Sequence, residues 1–540
     1  MTARSRGALA LAPPIVFVLL FALVPVALLF ANALADAGGW SGAMAIASEP
    51  LNVASIENSL VQGGLSAALA VGIGYPAGLF FGRYSWPGRS ELRSFLLVPF
   101  LLPSLVVVFG VLDLFGPSGL LSSAVPAFSV LGTGLPAIVA ANLVFNVPIV
   151  VLFTATACES APVALEETVA TLGGSPLRAY QHAWGPPTWV GASVGGLLTF
   201  LFSALSFAPP LLLCGPRCYT VEARIWSLDQ ILLQPTSAGV LALVMVLIFL
   251  APTAVYLLLL GRLRAASGRQ AAPARRVAWR DPVAVALAAE TVAVFVGILV
   301  VLGAVLYRTF QPVGGAGAGA VWADLFSNTT RSRLGISVEG MVANTVFFAT
   351  AASVLAILLG IVAGFSVSQR PRRATGLGLL LFLPLLLSPV VLAFGLASFW
   401  RPVLGGTSSI WFLVIVSQAI LAIPFALQSL EIPLAGLTPA AREAAETLGA
   451  TPLGAFLDAD LPRVKDGLVT AGLFAFALGL GEFTATFFLV TPSYTTLPVA
   501  LGRLADARLF AVADAAAGLL LLLSLVVFLG LLLGGRRAEL

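Results

Sequence analysis

Stretches of about twenty apolar residues recur along this chain, nearly free of charge, and they leave it few ways to fold. A bilayer core is crossed by about 20 apolar residues in a helix. Inside it every peptide group must be bonded within the protein, which a helix does on its own. Such stretches fall near 12–34, 58–81, 94–113, 134–157, 191–213, 236–261, 282–306, 340–368, 377–399, 411–430, 467–489 and 512–534. Charged residues make up only 10% of the chain, against about 25% for a soluble domain. The expected fold is therefore an all-α polytopic membrane protein with about twelve transmembrane helices.

Basic residues collect on the cytoplasmic side of membrane proteins. Placing the N-terminus inside puts most of the 28 Lys and Arg residues in cytoplasmic segments. Among them are Arg4 and Arg6, Arg83, Arg89 and Arg93, the six arginines between 262 and 281, and Arg536 and Arg537. Both termini are then cytoplasmic, in a cell membrane. The net charge of +4 reflects this bias rather than a nucleic-acid surface. The basic start, apolar run and Ala33-Leu34-Ala35 imitate a signal peptide, but the run is too long, so an uncleaved first span is expected.

Two polar interruptions share a sequence. Residues 167–186 read ETVATLGGSPLRAYQHAWGP and residues 443–462 read EAAETLGATPLGAFLDADLP, a displacement of 276 residues from Glu167 to Glu443. The copies agree at Glu167/Glu443, Thr171/Thr447, Leu172/Leu448, Gly173/Gly449, Pro176/Pro452, Leu177/Leu453, Ala179/Ala455, Ala183/Ala459 and Pro186/Pro462. A repeat at half the chain length indicates two copies of one unit. The expected organisation is a first repeat over 1–261 with an elbow at 158–190, and an Arg-rich cytoplasmic linker at 262–281. A second repeat follows over 282–540, with an elbow at 431–466. Both elbows face the same side, so the repeats are parallel and imply a pseudo-two-fold axis along the membrane normal. Each elbow reads as two short helices with a hinge. Thr438 is a natural N-cap before Pro439, Gly449 follows the last helical residue, and Ser175-Pro176 and Thr451-Pro452 start the second helices.

The second copy resembles the EAA loop of inner-membrane permeases of binding-protein-dependent ABC importers. Glu443-Ala444-Ala445, Gly449 six residues after the Glu, and Leu461-Pro462 carry the likeness. The first copy departs from it, with Glu167-Thr168-Val169 and Gly185-Pro186. Residues 206–226 and Thr496-Leu497-Pro498-Val499 look like segments of fused permeases for thiamine and, more loosely, ferric iron. The resemblance implies a cytoplasmic helix that docks on a separate ATPase. The residues expected to couple are Glu167, Leu172, Gly173 and Pro176 in the first elbow, and Glu443, Ala444, Ala445, Leu448, Gly449 and Pro452 in the second. Implied partners are two copies of an ABC ATPase and an extracellular binding protein, with membrane lipid around the spans. The expected function is uptake of a small solute, thiamine or ferric iron.

The halves also match elsewhere. Residues 58–82 parallel 344–368, Phe109-Gly110 parallels Phe394-Gly395 behind Pro384 and Pro389, and Pro148 parallels Pro424. Among intramembrane charges, Glu482 is a candidate for the pathway or for structure, with Asp113 and Glu290 discounted as lying near span ends. Cys214 and Cys218 flank Gly215-Pro216-Arg217, where a disulfide and two free thiols are both open readings. His182 reads as surface. No Gly-x-x-x-x-Gly-Lys-Ser/Thr occurs and Lys465 is the only lysine, so ATP would be bound by partner subunits and this chain carries no cofactor. One histidine, with no grouped nucleophile, base or metal ligands, argues against an enzyme. A secondary transporter driven by an ion gradient is the alternative.

Overall fold

The computed structural model describes residues 12–161, 163–266, 275–277, 280–311, 319–368, 381, 387–435, 437 and 439–538. They are helical nearly throughout, the one exception in kind being a two-residue parallel bridge, Tyr84–Ser85 with Arg275–Arg276. That bridge ties the end of the 262–281 linker to the turn after Arg83. Among the described residues, eleven helices are long and apolar enough to cross a membrane: Ala12–Asp36, Pro50–Arg83, Ser104–Ala124, Gly134–Glu159, Leu177–Ala204, Pro235–Leu263, Pro282–Thr309, Val338–Gly364, Ile410–Leu430, Phe456–Gly481 and Phe510–Gly530. The expected span at 377–399 lies partly outside the described residues, and its described part is the shorter helix Pro389–Val403.

Three spans differ in position from the sequence expectation. The span read at 94–113 is broken at Leu96–Leu97 and at Leu102–Pro103, and the membrane helix starts only at Ser104. The spans read at 191–213 and 467–489 begin earlier, at the elbows, and stop at Ala204 and Gly481. The apolar residues beyond them form separate short helices, Ala208–Leu213 and Thr484–Leu489. Apolarity alone cannot distinguish a continuous helix from a broken segment equally far from water.

The chain divides into two compact units: residues 1–36, 101–103 and 312–540 in one, and 37–100 with 104–311 in the other. The division does not follow the sequence halves. Each unit holds one helix from the opposite half. In the first unit, Ala12–Asp36 packs on Pro389–Val403. A Cβ on Gly395 would lie 3.1 Å from Val26, the Trp400 indole donates to the Leu20 carbonyl at 3.0 Å, and its ring meets Phe21 at 5.0 Å. The Leu20 carbonyl lies in a π-helical turn, Leu19–Leu23. In the second unit, Pro282–Thr309 packs on Ser104–Phe115, where a Cβ on Gly110 would lie 2.6 Å from Val301. Gly110 and Gly395, matched in the sequence, each stand where one of these helices comes close.

Each unit is built on three helices. In the second unit, Gly74, Gly78 and Gly82 form one small-residue stripe on Pro50–Arg83 that receives Gly134–Glu159. A Cβ there would come within 2.9 Å of Val150, 2.5 Å of Thr154 and 2.5 Å of Cys158 respectively. Small residues four apart let helix backbones close in where lipid gives no hydrophobic drive. Gly185–Ala204 completes the trio, with Gly191 against Ala157. In the first unit the corresponding helices are Val338–Ser368, Ile410–Ala435 and Leu461–Gly481, with Gly364 against Leu434 and Gly467 against Pro433.

Candidate coupling elbows

Both elbows fold the same way from the same residues. The first helix runs Val163–Thr171 in one and Pro439–Thr447 in the other. Gly173 and Gly449 follow with φ of +70° and +90°, a left-handed region that costs other L-residues about 1–2 kcal/mol. Those angles let the chain reverse. The Gly173 N–H bonds the Ala170 carbonyl at 3.0 Å and the Gly174 N–H reaches Val169 at 2.8 Å. In the second elbow, Gly449 bonds Glu446 and Ala450 bonds Ala445, both at 3.0 Å. This double bond pattern is the Schellman cap.

The second helix of each elbow starts as the sequence indicates. Ser175 Oγ accepts from the Arg178 N–H at 3.4 Å, and Thr451 Oγ1 from the Gly454 N–H at 3.1 Å. Pro176 and Pro452 take the first helical positions of Pro176–Ala179 and Pro452–Ala455. A π-helical turn then follows in both, Tyr180–Trp184 and Phe456–Asp460, before the next span. Thr438 lies outside the described residues.

What the elbows present outward is apolar. Leu172 is 81% exposed and Leu448 90% exposed, each beside its capping glycine. Glu167, Glu443 and Ala444 are exposed and Ala445 is half-buried. The Thr171 hydroxyl donates to the Glu167 carbonyl at 3.0 Å, and Thr447 donates to Glu443. Glu167 and Glu443 are thus exposed side chains on backbone positions held by a threonine hydroxyl. His182 is exposed, as the sequence suggests. Each elbow therefore carries one large, exposed apolar side chain on a turn whose backbone is fixed by its cap.

On the opposite ends, a second set of contacts recurs. Asn58 Nδ2 donates to the Tyr219 carbonyl at 3.3 Å, and the Val221 N–H donates to Ser59 Oγ at 2.9 Å. In the other unit Asn344 Nδ2 donates to the Thr495 carbonyl at 3.1 Å, and the Leu497 N–H donates to Thr345 Oγ1 at 2.8 Å. Each pair holds the segment that follows an elbow span. Burial lowers the pKa of Arg224 and Arg503 in these segments, with Glu49 opposing the shift at Arg224. Cys214 and Cys218 are joined as a disulfide, and Cys158 is buried and free.

Glu482 turns out to be a helix cap. Its carboxylate accepts the Ala485 N–H at 2.7 Å, the Thr486 N–H at 2.8 Å and the Thr486 hydroxyl. It fixes the start of Thr484–Leu489, and Gln418 donates to the same Thr486 hydroxyl at 3.1 Å. Asp113 is buried 4.0 Å from Arg308, and Glu290 is half-buried. A fully buried amide cluster in the second unit went unnoticed in the sequence. Asn142 donates to Gln62 Oε1 at 2.8 Å, Asn146 to Ser203 Oγ at 3.1 Å, and Gln62 to the Ser203 carbonyl. The signal was there, in Asn142 and Asn146 one helical turn apart within an apolar span. Among the described residues no group of three or more His, Cys, Asp or Glu could hold a metal.

The described residues thus form an all-α chain with eleven helices long and apolar enough to cross a membrane and two elbows of matching backbone. Its similarities are to the permease subunits of transport systems, in line with the resemblance carried by the elbows. No protein-family model matches the chain. It is 27% identical to the thiamine transport system permease protein of Salmonella typhimurium, over 82% of this chain and 81% of that one. Against the protein of the same name from Brucella abortus, identity is 27% over 88% of this chain and 85% of the other. A Salmonella typhimurium protein provisionally named a 2-aminoethylphosphonate transport system permease is 27% identical over 33% of this chain and 67% of its own length.

Proposed function

We propose that this chain is the translocation subunit of a binding-protein-dependent ABC importer, with both permease repeats fused in one polypeptide. The observation that carries the proposal is the pair of elbows, with matching Schellman caps, π-turns and exposed leucines. Two like surfaces suit two copies of one ATPase, whose closure would be transmitted into the helices leading out of each elbow. In this reading Glu167, Leu172, Gly173 and Pro176, with Glu443, Ala444, Ala445, Leu448, Gly449 and Pro452, form the docking face. The repeats are parallel, and both termini and both elbows are cytoplasmic, in keeping with the arginine distribution. The segments after the elbow spans, around 214–235 and 490–511, receive the binding protein outside.

Thiamine is the favoured cargo. The relatives that align with most of this chain carry it in their names, and ferric iron appears in none of the names given above. The test is uptake of radiolabelled thiamine into vesicles holding the permease, its ATPase and its binding protein. Uptake that needs ATP and survives a protonophore is expected. Uptake without any ATPase that collapses with the ion gradient would make the chain a secondary transporter.

A further inference from the structure

The two elbows share a backbone conformation, and the first is bolted to the span Pro50–Arg83. Arg83 forms a two-pronged ion pair with Glu166 on the first elbow helix, one prong at 3.1 Å, and both side chains are largely buried. The same guanidinium lies 4.2 Å over the indole of Trp184, in the π-turn beyond the hinge. One side chain thus grips the elbow on both sides of its bend. Charge-assisted, two-pronged pairs and guanidinium–indole stacking are among the stronger and more directional side-chain contacts.

Two turns further into the span a second clamp repeats the arrangement. The Tyr75 hydroxyl lies 2.7 Å from that of Tyr180 and 2.9 Å from Thr188 Oγ1. The Trp189 indole N–H donates to the Tyr180 hydroxyl at 2.8 Å, and its ring stacks on Tyr75 at 4.3 Å. Elbow helix, π-turn and outgoing span are therefore tied to Pro50–Arg83 by polar bonds whose geometry does not slide, unlike a purely apolar contact.

The second repeat has none of these groups at the matched positions of its sequence. Displaced by 276, the positions of Glu166, Tyr180, Trp184, Thr188 and Trp189 carry Arg442, Phe456, Asp460, Val464 and Lys465. Tyr75 and Arg83, displaced by the 286 residues that separate Asn58 from Asn344, become Ile361 and Gln369. The shared features of the elbows serve a shared partner surface. The brace serves something the elbows do not share.

We propose that Arg83 is a positioning residue for energy coupling. It makes the first elbow and the span Pro50–Arg83 one mechanical body, so displacement at that elbow enters the span directly. The second elbow carries no like group at the matched positions, and the described packing of its outgoing helix on the span Val338–Ser368 is apolar, through Leu461, Val464 and Ile361. The inference rests on reading the elbows as ATPase docking sites, and its test separates the two.

The assay is ATP hydrolysis by the assembled transporter in lipid vesicles, with and without its binding protein, and the amount of ATPase retained. Glu166→Gln should keep the full complement of ATPase and the basal rate. Its stimulation by binding protein should fall about fivefold, the low end of coupling between distant sites. The charge exchange R83E with E166R should recover most of the stimulation, and Arg442→Gln should leave it unchanged. Full stimulation in Glu166→Gln, no recovery in the exchange, or an equal loss in Arg442→Gln would overturn the proposal. Loss of bound ATPase in Glu166→Gln would also overturn it, by making Glu166 a docking contact. A wild-type chain that retains no ATPase would instead defeat the docking reading itself.

Discussion

Gly449→Ala isolates the backbone contribution of an elbow. Gly449 has φ of +90°, and a Cβ built there would meet nothing within 4 Å. The substitution therefore creates no clash, and its whole cost is that of holding alanine in a left-handed conformation, about 1–2 kcal/mol. That cost applies whenever the elbow is in its capped form. If the free elbow uncaps to escape this strain and ATPase binds only the capped form, affinity falls by at most the same free energy, about 5-fold to 30-fold. Gly449→Asn, a side chain that tolerates the left-handed region, should lose clearly less. The assay is a titration of purified ATPase against the permease in lipid nanodiscs, beside a thermal unfolding scan. The unfolding midpoint should stay near wild type, because the exposed elbow can relax locally out of the strained turn without disturbing the packed spans. Wild-type affinity in Gly449→Ala, or a larger loss in Gly449→Asn, would show that the turn is not what the partner recognises.

Three further outcomes follow from the geometry. Leu448→Ala and Leu172→Ala should each weaken ATPase binding by roughly tenfold or more, since burying a leucine is worth about 1.5–3 kcal/mol; the unfolding midpoint of the isolated permease should not change. Thr345→Val strands the buried Leu497 N–H at a cost of about 1–3 kcal/mol, so the unfolding midpoint in detergent should fall, and Ser59→Ala should do the same through Val221. Alkylation of the denatured, unreduced protein should modify Cys158 alone and reduction should expose Cys214 and Cys218, read by mass spectrometry.

Much of this was legible in the sequence because membrane and capping chemistry act locally. Apolar runs had to be helices, and Gly173, Gly449, Ser175 and Thr451 take the turn and cap positions that their chemistry favours. The matched dipeptides Phe109-Gly110 and Phe394-Gly395 did not show what their glycines do. Each glycine is where a helix from the other half of the chain comes close, a long-range pairing that no local pattern encodes. For the same reason the compact units depart from a linear cut near 262–281. The breaks after Ala204 and Gly481 were missed because Ala208–Leu213 and Thr484–Leu489 are as apolar as the spans they follow. Glu482 stood out as a charge, but that it caps a helix depends on backbone N–H groups that composition does not show. The brace around Arg83 was invisible for a further reason: its partners lie between 83 and 114 residues apart in sequence, from Arg83 to Glu166 and from Tyr75 to Trp189.

The most direct test of the elbows as docking sites is site-specific photo-crosslinking in the intact membrane. A photoreactive side chain would be placed at Leu172, at Leu448 and, as a control at the opposite end of the unit, at the exposed Leu233. Adducts with an ATP-binding subunit from positions 172 and 448, and none from 233, are expected. A chain that still imports its substrate while neither elbow position yields such an adduct would contradict the coupling role assigned to both.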